Sequence, residues 1–379
     1  MSLKRALIEN FVGFGARFAR TSKAPTRPPR SVFVLRNNDI GDLLIITPIF
    51  EALKRLFPSA QLYAGVGKWN LSVLANNPYL EQVLEINAPW HNKFVCQVPP
   101  RSLRGLLRSL GYIWRSSEAQ QLKSLCCDIG IDILGSPEGS LLLMRAGIPW
   151  RLGVNGYAGG HSACQQNVTY DEELNVGRAA LKFAELLGAS DLPEARPQLF
   201  LADREKDEAL EAWDFADQPG AGKRIIIAPG GGVVEKCWPR ENYRELVAAL
   251  AASTGARILL VGSPAEHELG EYVRSGLGGV TNICGKTSLR QIFGLAWAAD
   301  GIVCNSSMIL HAAAAFKKPT VAMLGASFTS ARKHKQLWGY GPEDLHLGRE
   351  PGRNRIYSAP EAIPLVSTHL QTSLAGVSI

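Results

Sequence analysis

Two aspartates follow an apolar run of strand length near the start of the chain, and carboxylates at such a place are candidates for acid–base chemistry. Residues 32–35 are apolar, residues 36–42 form a polar loop with Asp39, Asp42 and one glycine, and a helical pattern resumes toward Leu56. In an open α/β sheet, ligands bind beyond the carboxyl ends of the strands, where this loop would lie. An aspartate with its ordinary pKa of about 3.9 is ionised at neutral pH, which makes Asp42 a candidate general base. The alternative is that Asp42 caps the helix or complements its dipole.

A glycine triplet in the second half of the chain is a candidate anion site. Gly230, Gly231 and Gly232 follow a strand-like run, and Lys236 precedes a Trp-Pro pair and a helix. Consecutive glycines let backbone N–H groups approach an anion, and a lysine places an ammonium group on a phosphate. The loop lacks the three spaced glycines of a dinucleotide fingerprint, so we expect a diphosphate site of another kind.

A second polar loop lies on the same predicted face of the sheet. Ser306 and Ser307 stand at a predicted helix start, where hydroxyls and free N–H groups bind phosphate or cap the helix. His311 lies one turn into the alanine-rich helix that follows. We interpret His311 as a core histidine, with a general base as the alternative, and count it among the candidate donor-binding residues.

The charge of the chain is concentrated at its amino terminus. The net charge is +7, but residues 1–30 alone hold seven Lys and Arg residues against one Glu, so the rest is nearly neutral. With no zinc-finger spacing or recognition-helix signature, this pattern excludes a nucleic-acid partner. Apolar residues recur at helical spacing in residues 3–18, which predicts a helix lying on an anionic membrane surface or, alternatively, packing on the protein's own body.

The cysteines and the hydropathy indicate a reduced, cytoplasmic environment. The chain has seven cysteines and no Cys-x-x-Cys pair, which fits free thiols better than disulfides or a zinc site. Because no run of about 18 apolar residues occurs, we expect no transmembrane helix. The predicted location is cytoplasmic, with peripheral attachment to the inner face of the membrane.

Alternating strand and helix patterns predict an α/β protein with two doubly wound, Rossmann-like domains that face each other across a cleft. The expected parts are a basic arm and linker (1–30), a first domain (31–190), an interdomain crossing (191–222), a second domain (223–350) and a final helix that returns to the first domain (351–379). Within the first domain, Arg101, Arg104 and Arg108 lie on a helical segment. This segment is either a solvated basic face or a site for an anionic acceptor.

Taken together, these motifs resemble glycosyltransferase family 9, the heptosyltransferases of lipopolysaccharide core synthesis. The matching segments have the family's order and spacing, and they lie at residues 35–48, 77–81, 151–153, 229–241, 261–266, 284–289 and 311–319. The resemblance implies a GT-B fold, transfer from a nucleotide diphosphate with inversion, and no bound metal or other cofactor. It implies that Asp42 is the catalytic base, that Lys236 neutralises the donor diphosphate and that Glu266 lies near the nucleoside.

The sequence departs from the family at one functional position. The family usually reads Asp-Ser/Thr-Gly before the histidine, where this chain has Ser306, Ser307 and Met308. We expect an inverting transferase that moves a sugar, expected to be heptose, from a nucleotide-sugar donor to an anionic, lipid-linked glycan. Asn38, Asp39 and the three arginines would bind that acceptor. The departure leaves open a different nucleotide sugar or acceptor, and also a non-catalytic member that binds the membrane or a partner.

Overall fold

The computed structural model describes residues 13, 27–99, 102–214 and 222–375. These fall into two compact units, which divide after Ala195, inside the range predicted as the crossing. The predicted amino-terminal membrane helix lies outside the described residues. Among the residues described, no helix is long and apolar enough to cross a membrane.

The first unit contains one six-stranded parallel sheet with helices between its strands. The strands are β1 (Ser31–Leu35), β2 (Gln61–Val66), β3 (Gln82–Glu85), β4 (Ile129–Asp132), β5 (Trp150–Asn155) and β6 (Gln166–Thr169). The helices are α1 (Ile40–Ile46), α2 (Pro48–Leu56), α3 (Leu103–Arg115), α4 (Ser117–Ser124), α5 (Pro137–Arg145) and α6 (Val176–Leu186), with short 3₁₀ turns at Lys68–Val73 and His161–Ala163.

The second unit repeats the same plan. Its strands are β7 (Arg224–Ala228), β8 (Arg257–Leu260), β9 (Val280–Asn282), β10 (Gly301–Cys304), β11 (Thr320–Met323) and β12 (Asp344–Leu347). Its helices are α7 (Asp203–Asp214), α8 (Arg240–Thr254), α9 (His267–Arg274), α10 (Leu289–Ala298), α11 (Met308–Ala315), α12 (Ala331–Trp338) and α13 (Ala359–Ala375), with 3₁₀ turns at Val234–Lys236 and Pro264–Glu266.

Both sheets have the doubly wound topology that the sequence predicts. The strand orders are β3-β2-β1-β4-β5-β6 and β12-β11-β10-β7-β8-β9, with every pairing parallel. The order reverses between β1 and β4 in the first sheet and between β7 and β10 in the second. Leu35 pairs with Asp132 and Ala228 with Cys304, so the loops leaving the central strands begin side by side. In open α/β sheets this reversal point is where ligands bind.

Several elements differ from the sequence-based prediction. The single helix expected after β1 is two helices, because Pro48 has no N–H for a continuous helix and stands at the first position of α2. The strand β6 was not predicted, and α7 lies in the predicted crossing. The pair α12 and β12 was also missed, since both are short and carry many polar residues.

The final helix belongs to the second unit, so its expected return to the first domain is wrong. Ala359, Ala362, Val366 and Leu370 of α13 are buried in the core of the second sheet. Gly301 at the start of β10 provides the space, because a methyl group there would lie 2.8 Å from a Leu370 methyl carbon. Burying these apolar side chains fixes the helix against its own sheet.

Candidate active site

Asp42 lies in the first turn of α1, directly beyond the end of β1. Its Oδ2 accepts a hydrogen bond from the Asp39 backbone N–H at 3.3 Å, so the side chain helps to cap the helix. Its Oδ1 lies 3.5 Å from Nη2 of Arg36, whose side chain is 8% exposed against 37% for Asp42. A carboxylate that contacts a buried guanidinium and is also accessible to solvent can accept a proton from a ligand. Capping and a role as base are therefore compatible.

Two further polar residues of this loop, Asn38 and Asp39, hold it to the chain beyond β3. Asn38 donates through Nδ2 to the His91 carbonyl at 2.8 Å, and its own carbonyl accepts from Trp69 Nε1 and Asn70 Nδ2 at 2.9 Å each. Asp39 Oδ1 accepts from the Lys93 backbone N–H at 3.2 Å. Asn38 is buried. These contacts fix the shape of the loop, and direct acceptor binding by Asn38 and Asp39 stays a prediction.

The end of β4 adds groups that sequence reasoning missed. Asp132, the last residue of β4, is buried and accepts hydrogen bonds from the N–H groups of Leu134 and Ser136 at 3.1 and 2.8 Å. Burial raises its pKa to about 6, against the opposing effect of these hydrogen bonds. Nearby, His91 Nε2 lies 3.6 Å from Glu138 Oε2. The strand-end rule would have drawn attention to Asp132, whereas no motif connects His91 with Glu138.

The predicted basic segment is the helix α3, which exposes an apolar stripe as well as arginines. Leu103, Leu107 and Trp114 are 75%, 60% and 50% exposed. Arg104 and Arg108 lie beside this stripe and are exposed, while the opposite side of the helix, at Gly105, Ser109 and Ile113, is buried. Arg101 lies outside the described residues. The exposed surface of this helix is therefore both apolar and basic.

In the second unit, Asn305 holds the glycine loop against the end of β10. Its Nδ2 donates to the carbonyls of Pro229 and Gly230 at 2.8 and 2.9 Å. Its Oδ1 accepts from the Trp238 N–H at 2.9 Å and from the Tyr243 hydroxyl at 3.0 Å. Three of these bonds are buried, and the bond to the Gly230 carbonyl is partly buried. Asn305 thus connects the loops that follow β7 and β10. The sequence signal for this role was its position directly after an apolar strand.

Glu266 lies against the glycine triplet from the neighbouring strand end. Its Oε2 accepts the Ser263 N–H at 2.6 Å. A methyl group on Gly230 would overlap Glu266 Oε1, and one on Gly262 would lie 2.9 Å from Oε2. The structure therefore brings Glu266 and the first glycine of the triplet together, as expected if they line one ligand site. Gly231 is half-buried and Gly232 is exposed.

Lys236 ends the glycine loop and is exposed. Its Nζ lies 6.0 Å from the centre of the Phe328 ring. The Lys236 carbonyl accepts from the Gly325 N–H at 3.0 Å, and the Glu235 carbonyl accepts from the Ser327 N–H at 3.2 Å. These two backbone hydrogen bonds fix the main chain of Lys236 against the loop after β11. Because the side chain is exposed, its ammonium group can bind an anion.

Ser306 makes a contact that the sequence did not suggest. Its Oγ lies 2.7 Å from His334 Nε2, His334 Nδ1 lies 2.8 Å from His346 Nδ1, and His346 Nε2 lies 2.9 Å from Asp344 Oδ2. Ser307 occupies the N-cap position of α11 but makes no side-chain capping bond, so capping by its hydroxyl is wrong.

His311 is buried, as a core histidine would be. Its Nδ1 lies 2.6 Å from the Tyr340 hydroxyl. Burial lowers the pKa of His311 to about 3, and the nearby His346 acts in the same direction. Direct binding of the donor by His311 stays a prediction. Among the described residues no cluster of His, Cys, Asp or Glu side chains could hold a metal ion.

Two doubly wound units with polar loops at both sheet reversals define a GT-B type of fold, and comparison with known proteins identifies the family. Residues 115–343, more than half of the chain, match glycosyltransferase family 9 (heptosyltransferase). The chain belongs to this family, and it is therefore a glycosyltransferase.

Relatives and solved structures agree with this assignment. The chain is 26% identical over 321 residues to lipopolysaccharide heptosyltransferase 2 of Escherichia coli, covering 80% of this chain and 86% of that protein. A family 9 glycosyl transferase from Veillonella parvula has the same fold, with a TM-score of 0.74 at 16% identity, covering 90% and 97% of the two chains. The E. coli ADP-heptose lipopolysaccharide heptosyltransferase II gives a TM-score of 0.69 at 20% identity, covering 90% and 99%.

Proposed function

We propose that this glycosyltransferase moves a heptose from ADP-heptose to a lipopolysaccharide-core acceptor, with inversion at the anomeric carbon. The observation that carries the proposal is the glycine loop of the second unit, where Glu266 lies against Gly230 and an exposed Lys236 ends the loop, in a chain related to a lipopolysaccharide heptosyltransferase. A related enzyme with the same fold is described as using ADP-heptose.

In this proposal the two units have separate tasks. The first unit binds the acceptor, and Asp42 takes the proton of its hydroxyl as that oxygen forms a bond to the anomeric carbon. The bond from that carbon to the diphosphate oxygen breaks, and its electron pair leaves with ADP. The second unit stabilises the leaving diphosphate through Lys236 and the backbone N–H groups of residues 230–232. Every group used is a side chain or amide of the protein.

The outer surface of α3 gives the acceptor domain a place to meet a membrane. Leu103, Leu107 and Trp114 form an exposed apolar stripe, and Arg104 and Arg108 lie beside it. Apolar and cationic side chains on one helix face suit the boundary between acyl chains and anionic headgroups. We propose that the enzyme works on the cytoplasmic face of the inner membrane, where it could reach a lipid-linked glycan with anionic groups.

The transfer itself is tested with a panel of nucleotide sugars and a heptose-accepting core glycolipid. We expect ADP release and product with ADP-heptose, and no comparable turnover with UDP- or GDP-linked hexoses. Because Ser306 departs from the family pattern, a different nucleotide sugar is the second candidate, and it would replace heptose if that donor alone supported transfer. Absence of product with every donor, despite nucleotide binding, would favour a non-catalytic member of the family.

Membrane attachment is tested by flotation with vesicles that contain or lack anionic phospholipid. Leu103→Glu and Leu107→Glu together should abolish binding to anionic vesicles. Leu365→Glu is the matched control, because Leu365 is also exposed but lies on α13 of the other unit. Equal flotation of all variants would remove α3 from this role.

A further inference from the structure

Two exposed tyrosines lie in contact at the carboxyl edge of the first sheet. Tyr157 comes two residues after β5, and Tyr170 directly follows β6. Their ring centres are 4.8 Å apart, and the ring planes are tilted by 36°. The two side chains are 48% and 46% exposed, so each ring keeps a large part of its surface open to solvent. The pair is an aromatic surface that no step of the proposed transfer uses.

The backbone around the tyrosine pair fixes both rings in place. The Tyr170 N–H donates to the Asn155 carbonyl at 2.8 Å, which continues the pairing of β6 with β5 by one residue. Gly156 has a φ of +96°, which favours glycine, and it turns the chain directly before Tyr157. A methyl group on Gly156 would lie 3.4 Å from Tyr170 Cβ, so the two loops are in close contact. An aromatic surface that is already ordered loses little entropy when a ligand covers it.

The charges beside the tyrosine pair disfavour an anionic ligand. Asp171, Glu172 and Glu173 directly follow Tyr170 and are exposed, and residues 152–177 contain no Lys or Arg. Carboxylates repel phosphate groups and anionic headgroups, whereas they accept hydrogen bonds from hydroxyl groups. This surface therefore differs from the outer surface of α3, where arginines lie beside the apolar stripe. It suits a ligand that is uncharged and rich in hydroxyls.

An uncharged sugar ring has this chemistry. Its C–H groups carry a small positive charge and stack on the faces of aromatic rings, which carry negative charge. Its hydroxyls can donate to the neighbouring carboxylates. An aromatic pair with acidic neighbours thus fits a neutral sugar better than an acyl chain, which has no hydroxyl to offer.

The topology of the sheet relates the tyrosine pair to Asp42. The strands β1, β4, β5 and β6 are neighbours in that order and all run parallel, so their carboxyl ends share one edge of the sheet. With a strand spacing of about 4.8 Å, the ends of β5 and β6 lie about 10 and 14 Å from the end of β1. One sugar ring does not span this separation. The pair therefore lies beyond the sugar whose hydroxyl would react at Asp42.

We propose that Tyr157 and Tyr170 form a subsite for an uncharged sugar of the acceptor glycan, at least one unit away from the sugar that receives the transferred group. The inference rests on the proposed function, from which it takes the acceptor, and it adds a second point of contact in the acceptor-binding unit. Because the pair does not touch the reacting atoms, it lowers KM for a long acceptor and leaves kcat unchanged.

The test uses lipid-free core oligosaccharides of increasing length. The shortest acceptor that supports transfer is compared with the same acceptor extended by one and by two neutral sugars, and ADP release gives kcat and KM. In the wild type, KM should fall about tenfold once the extension reaches the tyrosine pair. In the double variant Tyr157→Ala and Tyr170→Ala, KM should change by less than about twofold with length, while kcat and the KM for the shortest acceptor stay as in the wild type.

Two further variants separate a binding role from a structural one. Tyr157→Phe together with Tyr170→Phe keeps both ring faces and should keep the dependence of KM on acceptor length. Leu210→Ala is the control for truncation of an exposed apolar side chain, because Leu210 is 37% exposed on α7 of the other unit. It should behave as the wild type. A phenylalanine pair that loses the length dependence, or a leucine variant that loses it equally, would contradict a subsite made of ring faces.

Binding of the same oligosaccharides without donor is measured by calorimetry, which tests the subsite independently of transfer. If transfer occurs but KM does not depend on length, or the dependence persists in the double alanine variant, the inference is wrong and the proposed function stands. If no transfer occurs but oligosaccharide binding is lost in that variant, the subsite is supported and the proposed transfer is contradicted. If neither binding nor transfer is found, both fail. A wild-type dimer that the double alanine variant converts to a monomer would show that the pair is a contact between two copies, which also overturns the inference.

Discussion

Arg36 Nη2 lies 3.5 Å from Asp42 Oδ1, and the guanidinium is far more buried than the carboxylate that it contacts. The arginine follows β1 directly and reaches the first turn of α1, so the strand end and the helix start are tied together by charge. One oxygen of Asp42 faces the arginine and the other accepts the Asp39 N–H. This arrangement limits the rotation of the carboxylate, as a precisely aimed base requires.

Asp42→Asn is expected to lower kcat by about 10²-fold or more, because the amide cannot accept the acceptor's proton. In our proposal the donor is bound by the other unit, so its dissociation constant should stay near the wild-type value. Steady-state kinetics with ADP release, together with donor titration, provide the measurement. Asp191→Asn serves as control, since its carboxylate is exposed and pairs with Arg55. A wild-type kcat in Asp42→Asn would exclude Asp42 as the base.

Lys236→Ala is expected to weaken donor binding by about 10- to 100-fold, as for loss of a charge-assisted bond to phosphate. Because Lys236 is exposed, the free energy of unfolding should change by less than about 0.5 kcal/mol. Calorimetric titration with ADP gives the affinity. The matched variant is Lys223→Ala, just before the opposite end of β7, which should bind ADP normally. Equal affinities of the two variants would contradict our assignment of the diphosphate to Lys236.

Gly325→Ala is expected to displace the glycine loop of the second unit, which ends at Lys236. The added methyl carbon would lie 2.6 Å from the Lys236 carbonyl carbon and 2.8 Å from the Cys237 nitrogen, and backbone atoms cannot rotate away. We expect a loss of about 1–3 kcal/mol in the free energy of unfolding and weaker ADP binding. In Gly278→Ala no atom lies within 4 Å of the new carbon, so this variant should behave as wild type. Urea unfolding with and without ADP separates the two effects.

The stability of the second unit should fall as the solution becomes acidic. His311 and His334 have pKa values of about 3 in the folded protein, lowered first by burial. An unfolded histidine has a pKa near 6.5, so the unfolded chain binds more protons and the stabilisation present above pH 6.5 is lost as pH falls toward 3. At pH 5.5 each histidine should cost about 1 kcal/mol of stability relative to pH 8.

His311→Gln isolates one of these contributions. Its free energy of unfolding should change less between pH 8 and 5.5 than that of the wild type, by about 1 kcal/mol. The control is His267→Gln, which removes a half-buried histidine from the same unit. Denaturant unfolding at both pH values gives the comparison. An identical pH dependence in His311→Gln and wild type would show that His311 does not resist protonation.

The sequence predicted the strands and helices correctly where the period of the apolar residues and the length of the segment indicate the same kind of element. The strands Gln61–Val66 and Gly301–Cys304 have the bounds that the pattern predicts, because each is a short, nearly continuous apolar run. It failed where elements are short and polar: β6 reads QNVT and β12 reads DLHL. Pairing with β5 and β11 decides those strands, since their own composition does not.

By itself the sequence determined the doubly wound fold, the family, and the loops at 36–42, 229–236 and 305–307, because these loops directly follow the strand patterns. Only the tertiary structure decided which side chains meet there. Arg36 reaches Asp42 across a helix start, and Asn305 binds the glycine loop across two parallel strands. The contact of His334 with Ser306 depends on the packing of α12 and on β12, two elements that no pattern indicated. The local sequence pattern reflects which residues of an element are buried and how regularly they recur. Contacts between residues that are distant in the chain arise only when the sheet aligns its strands.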